Sequence, residues 1–228
     1  MSTREEFLKA SLSKVQDRIK SAAESAGRNP HEITLIAVTK TYPIEDVKIL
    51  KSLGVENFGE NRDEEGSEKS KVVEGIWHFQ GQIQSKKLRS IASWASVIHS
   101  LDSQDHVTKL SNVLADREKV MQVFIQLSLD GDPTRGGVVA DDLEKIATPI
   151  IADSQMRLVG LMSVPPVEME VERAFESIAT IHQKFIATHP EAIYLSAGMS
   201  SDFEVAIKHG ATHIRVGSQI LGSRTYPQ

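Results

Sequence analysis

Lys40 ends an apolar, β-branched run, Ile33–Thr39, within ITLIAVTKTYP. The run is too short for a typical helix and reads as a strand buried on both faces. Lysine is rarely buried without a partner. One reading is an ammonium that snorkels to water at the strand end. The other is an amine partly desolvated by its neighbours. Desolvation lowers its pKa and suits Lys40 to form a Schiff base with a carbonyl compound.

Two late segments have the composition of an anion cradle. LSAGMSSD (Leu195–Asp202) runs from a strand through a glycine into Met199, Ser200 and a helix start. RVGSQILG (Arg215–Gly222) repeats the pattern with Gly217 and Ser218. Unpaired N–H groups at a helix start, with a glycine allowing close approach, suit a phosphate. Plain N-capping by Ser200 and Ser218 is the alternative. The two segments follow the seventh and eighth strands of the pattern below, where α/β barrels hold phosphate, and this favours the cradle.

Arg215 and His213 share one face of the last strand by alternation. If that face points inward, Arg215 needs an acceptor, either a core carboxylate or a ligand. Asn61 follows the second strand in NFGEN and is either a ligand contact or a helix cap. His78, in WHFQG, reads as a core or network histidine rather than a general base. His78 and His99 lack a zinc-ligand spacing. The tyrosines, Tyr42, Tyr194 and Tyr226, carry no motif that marks an acid.

The elements that must position these residues alternate. An N-terminal helix is capped by Thr3 and Glu6 in a T-x-x-E box, carries a stripe of Leu8, Leu12, Val15, Ile19, Ala22 and Ala26, and stops at Gly27. Strands are expected at 33–39, 55–59, 76–79, 97–101, 120–129, 158–164, 192–195 and 213–216. Helices are expected at 44–53, 60–71, 85–95, 104–115, 139–152, 168–188, 202–209 and from Ser218. About eight strand–helix units make a single (β/α)8 barrel over residues 1–228, with a doubly wound sheet as the runner-up. No G-x-G-x-x-G follows the first strand, which removes one argument for a dinucleotide fold. The turn-rich Asp130–Gly137 is a surface loop or a lid on the barrel's C-terminal face.

Composition bounds the function. The 228 residues are 40% hydrophobic and 25% charged, with a net charge of −5 and no cysteine. This supports one large core and argues against non-specific nucleic-acid binding. It excludes disulfides, a thiolate nucleophile and Cys-based metal sites. The polar start MSTREEFLKAS does not read as a signal peptide, and no apolar run approaches the roughly 18 residues of a membrane span. A cytoplasmic protein is expected.

AVTKTYP, FGEN, WHFxGxIQ, GLMSVPP and LSAGMSSDFEVAIKHGATHIRVGSQILG together resemble the pyridoxal phosphate homeostasis proteins, the YggS-like or PROSC family of PLP-binding proteins. The resemblance runs from the first helix to about Arg224. It implies a single barrel similar to the N-terminal domain of alanine racemase. It implies pyridoxal 5′-phosphate (PLP) held as a covalent imine on Lys40, with Ser200 and backbone N–H groups near Met199, Gly217 and Ser218 on the phosphate. Arg215 would face the pyridine nitrogen, and Asn61 would sit near the ring. A guanidinium donates and opposes ring protonation, so carbanion chemistry would be weakly supported. The sequence departs from the family's common residues at Arg62, Glu64, Gln80, Lys86, Ala197 and Leu221, positions that flank the expected contacts.

The function so implied is intracellular PLP homeostasis without efficient catalysis, by a monomer that passes PLP to apo PLP-dependent enzymes. An amino-acid racemase is the alternative. It would need an acid/base group on each face of the α-carbon, which alanine racemase draws partly from a further C-terminal domain; none is expected in this chain. A Schiff-base aldolase on the same barrel is a third reading, less consistent with Arg215.

Overall fold

A computed structural model describes residues 3–115 and 120–222. Eight parallel strands close a barrel in chain order: β1 (Thr34–Val38), β2 (Asn57–Glu60), β3 (Ile76–Phe79), β4 (Val97–Leu101), β5 (Met121–Leu127), β6 (Met156–Ser163), β7 (Tyr194–Met199) and β8 (His213–Val216). β8 pairs with β1 through Thr34–His213 and Ile36–Arg215, which closes the sheet. The helices are α1 (Arg4–Ser25), α2 (Ile44–Ser52), α3 (Asp63–Ser70), α4 (Leu88–Trp94), α5 (Gln104–Leu114), α6 (Leu143–Ile151), α7 (Val171–Thr188), α8 (Phe203–Lys208) and α9 (Ser218–Leu221). The expected (β/α)8 barrel with an added N-terminal helix is the observed architecture.

The main core lies between sheet and helices, as the near-continuous apolar strands require. Inside the barrel the filling is partly polar. His78, His99, Ser196 and Arg215 are all buried, and the His99 ring stacks on Phe124 with centroids 4.4 Å apart.

α1 begins with the capping box: Thr3 accepts from the Glu6 N–H, and Glu6 reaches back to the Thr3 N–H at 2.8 Å. Its buried stripe is Leu8, Leu12, Val15, Ile19 and Ala23. The expected Ala22 and Ala26 lie at its margin, half-buried. The helix packs on α8, α9 and α2. Arg4 donates to Asp46 at 2.9 and 2.5 Å and to the Leu221 carbonyl at 2.9 Å. α1 therefore braces the β8–β1 side, where the late glycine–serine segments lie.

Several boundaries move. β7 runs to Met199 rather than ending at Leu195, because Ser196 is paired inside the barrel and strand pairing continues past it. α3 starts at Asp63 and α7 at Val171, later than the charge patterns suggest. β1 is buried at Ile36 and Ala37 but half-exposed at Thr34, Leu35 and Val38, so it is less enclosed than its composition implies. Asp130–Gly137 is an ordered loop. Arg135 donates to Asp130 at 3.0 Å and to the Val164 and Pro165 carbonyls at 2.8 and 2.7 Å.

Candidate functional site

A cavity of about 460 Å³ opens at the C-terminal ends of the strands, the face where barrels carry ligand-binding residues. Lys40, Asn61, Met199, Ser200, Arg215, Gly217 and Ser218 all line it. Val38, Tyr42, Gln80, Val164 and Gly222 complete much of the wall. Clefts of about 720 and 760 Å³ lie on the exterior, one against α1 and α8 and one beside the loops after β5 and β6. Neither contains any of the candidate residues, so size alone does not mark the site.

Lys40 is half-buried just past the end of β1 and lines the cavity. The next residue, Thr41, takes φ +68°, a left-handed conformation rare for a β-branched side chain. Two residues on, the Tyr42 hydroxyl donates to the Gly222 carbonyl at 2.6 Å and ties this turn to the end of α9.

The two late segments meet. The Gly217 N–H donates to Ser200 Oγ at 3.3 Å, so Ser200 links the β7 and β8 turns rather than capping α8. α8 instead starts from Asp202, whose Oδ1 accepts the Met199 N–H at 2.6 Å. The Met199 amide expected to face a phosphate is thus engaged by this carboxylate, though the residue lines the cavity. Gly217 earns its place sterically: a Cβ there would stand 3.2 Å from the Val38 carbonyl oxygen.

Arg215 is buried with carbonyl and hydroxyl acceptors. Nη1 donates to Ser196 O at 2.7 Å and Ser196 Oγ at 2.8 Å, and Nη2 donates to Ser163 O at 3.0 Å. These contacts replace the core carboxylate considered above. Burial pushes the guanidinium down to about 10, opposed by Asp202, and it stays charged at neutral pH.

Asn61 is not a cap, because Arg62 occupies the N-cap position of α3. Its backbone carbonyl leaves room only for glycine at position 81, where a Cβ would lie 2.1 Å away. His78 is a network histidine, with Nδ1 2.8 Å from His99 Nε2 and Nε2 3.0 Å from Asn57 Oδ1. Among the described residues, no group of three or more His, Cys, Asp or Glu could hold a metal. No helix among them is long and apolar enough to cross a membrane.

Gln80, read from the sequence only as a departure flanking the expected contacts, stands in the cavity wall itself, with its Nε2 buried without a hydrogen-bond partner. Its position directly after β3, at a C-terminal strand end, is the signal that points there.

The family profile of the alanine racemase N-terminal domain matches residues 10–225. The pyridoxal phosphate homeostasis protein of Mycobacterium leprae is 40% identical over 240 residues, covering 96% of this chain and 93% of that protein. This chain belongs to the pyridoxal phosphate homeostasis protein family. Among solved structures, Synechococcus elongatus PipY with PLP bound is 28% identical, with a TM-score of 0.78 over 90% of this chain and 100% of that one. Alanine racemase from Corynebacterium glutamicum aligns with a TM-score of 0.70 at 14% identity, covering 94% of this chain and 62% of that one. That last likeness concerns the fold alone.

Proposed function

We propose that this chain holds PLP as an imine on Lys40 and serves intracellular PLP homeostasis without efficient turnover of a substrate. The observation that carries the reading is the meeting of Lys40, Arg215 and the Ser200–Gly217–Ser218 segment in one cavity. PLP offers an aldehyde, a ring nitrogen and a phosphate. The cavity offers an amine, a guanidinium, and serine and glycine groups in the same wall. The unpaired Gln80 Nε2 and the close approach allowed by Gly217 also fit a flat, polar ligand.

When bound, the cofactor supplies a reactive aldehyde and a ring that can delocalise electrons. Lys40 would hold the aldehyde. Arg215 would face the ring nitrogen as a donor and, with no acceptor to offer, would oppose its protonation. The ring would then be a weaker electron sink, which favours storage over carbanion chemistry. Among the described cavity residues, Tyr42 is the phenol available for acid–base work, and its hydroxyl is committed to the Gly222 carbonyl. Within this reading the protein acts as a monomer whose partners are PLP and apo PLP-dependent enzymes.

The test is a pair of assays on PLP-loaded protein. It should restore activity to an apo PLP enzyme while converting L-alanine to D-alanine negligibly. Robust racemisation, abolished by Tyr42→Phe, would favour the racemase reading instead.

A further inference from the structure

The turn that carries Lys40 is gripped on both sides by side chains of the next strand–helix unit. On the near side, Thr39 Oγ1 donates to Glu60 Oε1 at 2.6 Å, and Lys69 Nζ donates to the Thr39 carbonyl at 2.7 Å. On the far side, the Thr41 N–H donates to Glu65 Oε2 at 2.6 Å. One ammonium joins the two grips, because Lys69 Nζ also donates to Glu60 Oε1 at 2.7 Å and to Glu65 Oε2 at 3.1 Å. Glu60 is fully buried and Lys69 is 4% exposed.

A buried ion cluster can simply belong to the core. Two features point further. Its contacts with the β1 end go to Thr39 and Thr41, the two residues bonded to Lys40. Thr41 is also the one non-glycine residue with positive φ among those described. A β-branched residue there is strained, and strain persists only where the surroundings over-determine it. The Glu65 carboxylate on the Thr41 N–H is such a constraint. Burying the Glu60 carboxylate and the Lys69 ammonium, with Glu65 partly exposed beside them, carries a desolvation cost that a merely structural contact could avoid with apolar residues.

We propose that Glu60, Glu65 and Lys69 are positioning residues for Lys40, holding the Thr39–Thr41 turn in a strained form that delivers the Lys40 amine into the cavity. The inference rests on the reading of Lys40 as the PLP-binding lysine. Glu65 fixes the strained peptide, Glu60 fixes the preceding side chain, and Lys69 couples the two.

The experiment follows imine formation with added PLP by visible absorbance, in the wild type, Glu65→Ala, Thr41→Gly and the double variant. Thermal unfolding is recorded for each. Glu65→Ala should slow imine formation and weaken PLP binding by about tenfold, the effect of a little over one kilocalorie of lost pre-organisation. Thr41→Gly alone sets the baseline against which the double variant is read. The double variant should come within about threefold of Thr41→Gly, because glycine adopts positive φ without a clamp. Recovery of imine kinetics by a glycine that adds no contact is a result a purely structural cluster would not give. If Glu65→Ala does not fold, Glu65→Thr, also too short to reach Thr41, carries the same expectations. Unchanged kinetics in the clamp variant, or no recovery in the double variant, overturns the inference. No imine in the wild type would instead overturn the Lys40 reading on which it rests.

Discussion

Arg215 Nη1 and Ser196 Oγ lie 2.8 Å apart inside the barrel, and that contact starts a chain of hydrogen bonds through the interior. Ser196 Oγ is 2.9 Å from His99 Nδ1, and His99 Nε2 is 2.8 Å from His78 Nδ1. His78 Nε2 ends the chain on Asn57 Oδ1 at 3.0 Å. The proton positions follow from chemistry. A guanidinium only donates, so Ser196 accepts from it and gives its own proton to His99. His99 donates to His78, and His78 donates to Asn57. Every link is satisfied with both histidines neutral, which agrees with burial pushing His78 down to about 3 and His99 well below its ordinary value.

Neutral buried histidines make the fold acid-sensitive. His182 is likewise pushed down by burial, to about 4. In the unfolded chain all three take up protons below about pH 6.5, whereas the folded protein resists until far lower pH. Stability is therefore fully present above about 6.5 and lost as pH falls, by about 1.4 kcal/mol per histidine per pH unit. Urea unfolding at pH 7.5, 6.5 and 5.5 checks this, and His182→Gln should lower the proton uptake on unfolding by about one. A flat profile over this range would contradict it.

Ser196→Ala removes the shared partner of Arg215 and His99. Arg215 keeps the Ser196 and Ser163 carbonyls, but His99 Nδ1 is left buried without a donor. The expected cost is about 1–3 kcal/mol. For a protein of this size each kilocalorie lowers the Tm by about 2–4 °C. Calorimetry of the variant measures it.

Two glycines should separate binding from folding. Gly198 has φ +94°, and a Cβ there would lie 2.6 Å from the Ala206 Cβ, so Gly198→Ala should mainly destabilise the fold. Gly217 has φ −116°, which any residue can adopt, and its Cβ would only crowd the Val38 carbonyl at the cavity. Gly217→Ala should weaken PLP binding by about tenfold with a small change in Tm. Fluorescence titration with PLP alongside thermal unfolding distinguishes the two, and normal PLP affinity in Gly217→Ala would count against the cradle.

Much of this site was legible in the sequence. Alternating apolar strands and amphipathic helices gave the count of barrel units. A lysine at the end of an apolar strand and glycine–serine turns after the last two strands marked residues that share one cavity. His78 read correctly as a network histidine. What stayed hidden depends on long-range packing. Ser196 and His99 are 97 positions apart, and nothing local marks SAGM as strand. Lys69 sits in EEGSEKSK, a run that looks solvated, yet it is buried because Glu60 and the Thr39 carbonyl converge on it. Local propensity argues against the left-handed Thr41, and the Glu65 carboxylate that accepts its N–H comes from 24 positions away.

The most direct test of the central claim is the visible spectrum of purified protein with added PLP, before and after borohydride reduction, beside Lys40→Ala. The account predicts an imine band in the wild type that disappears on reduction, a fixed PLP mass on the peptide containing Lys40, and neither in the variant. An equal band in Lys40→Ala, or no band in either protein, would contradict it.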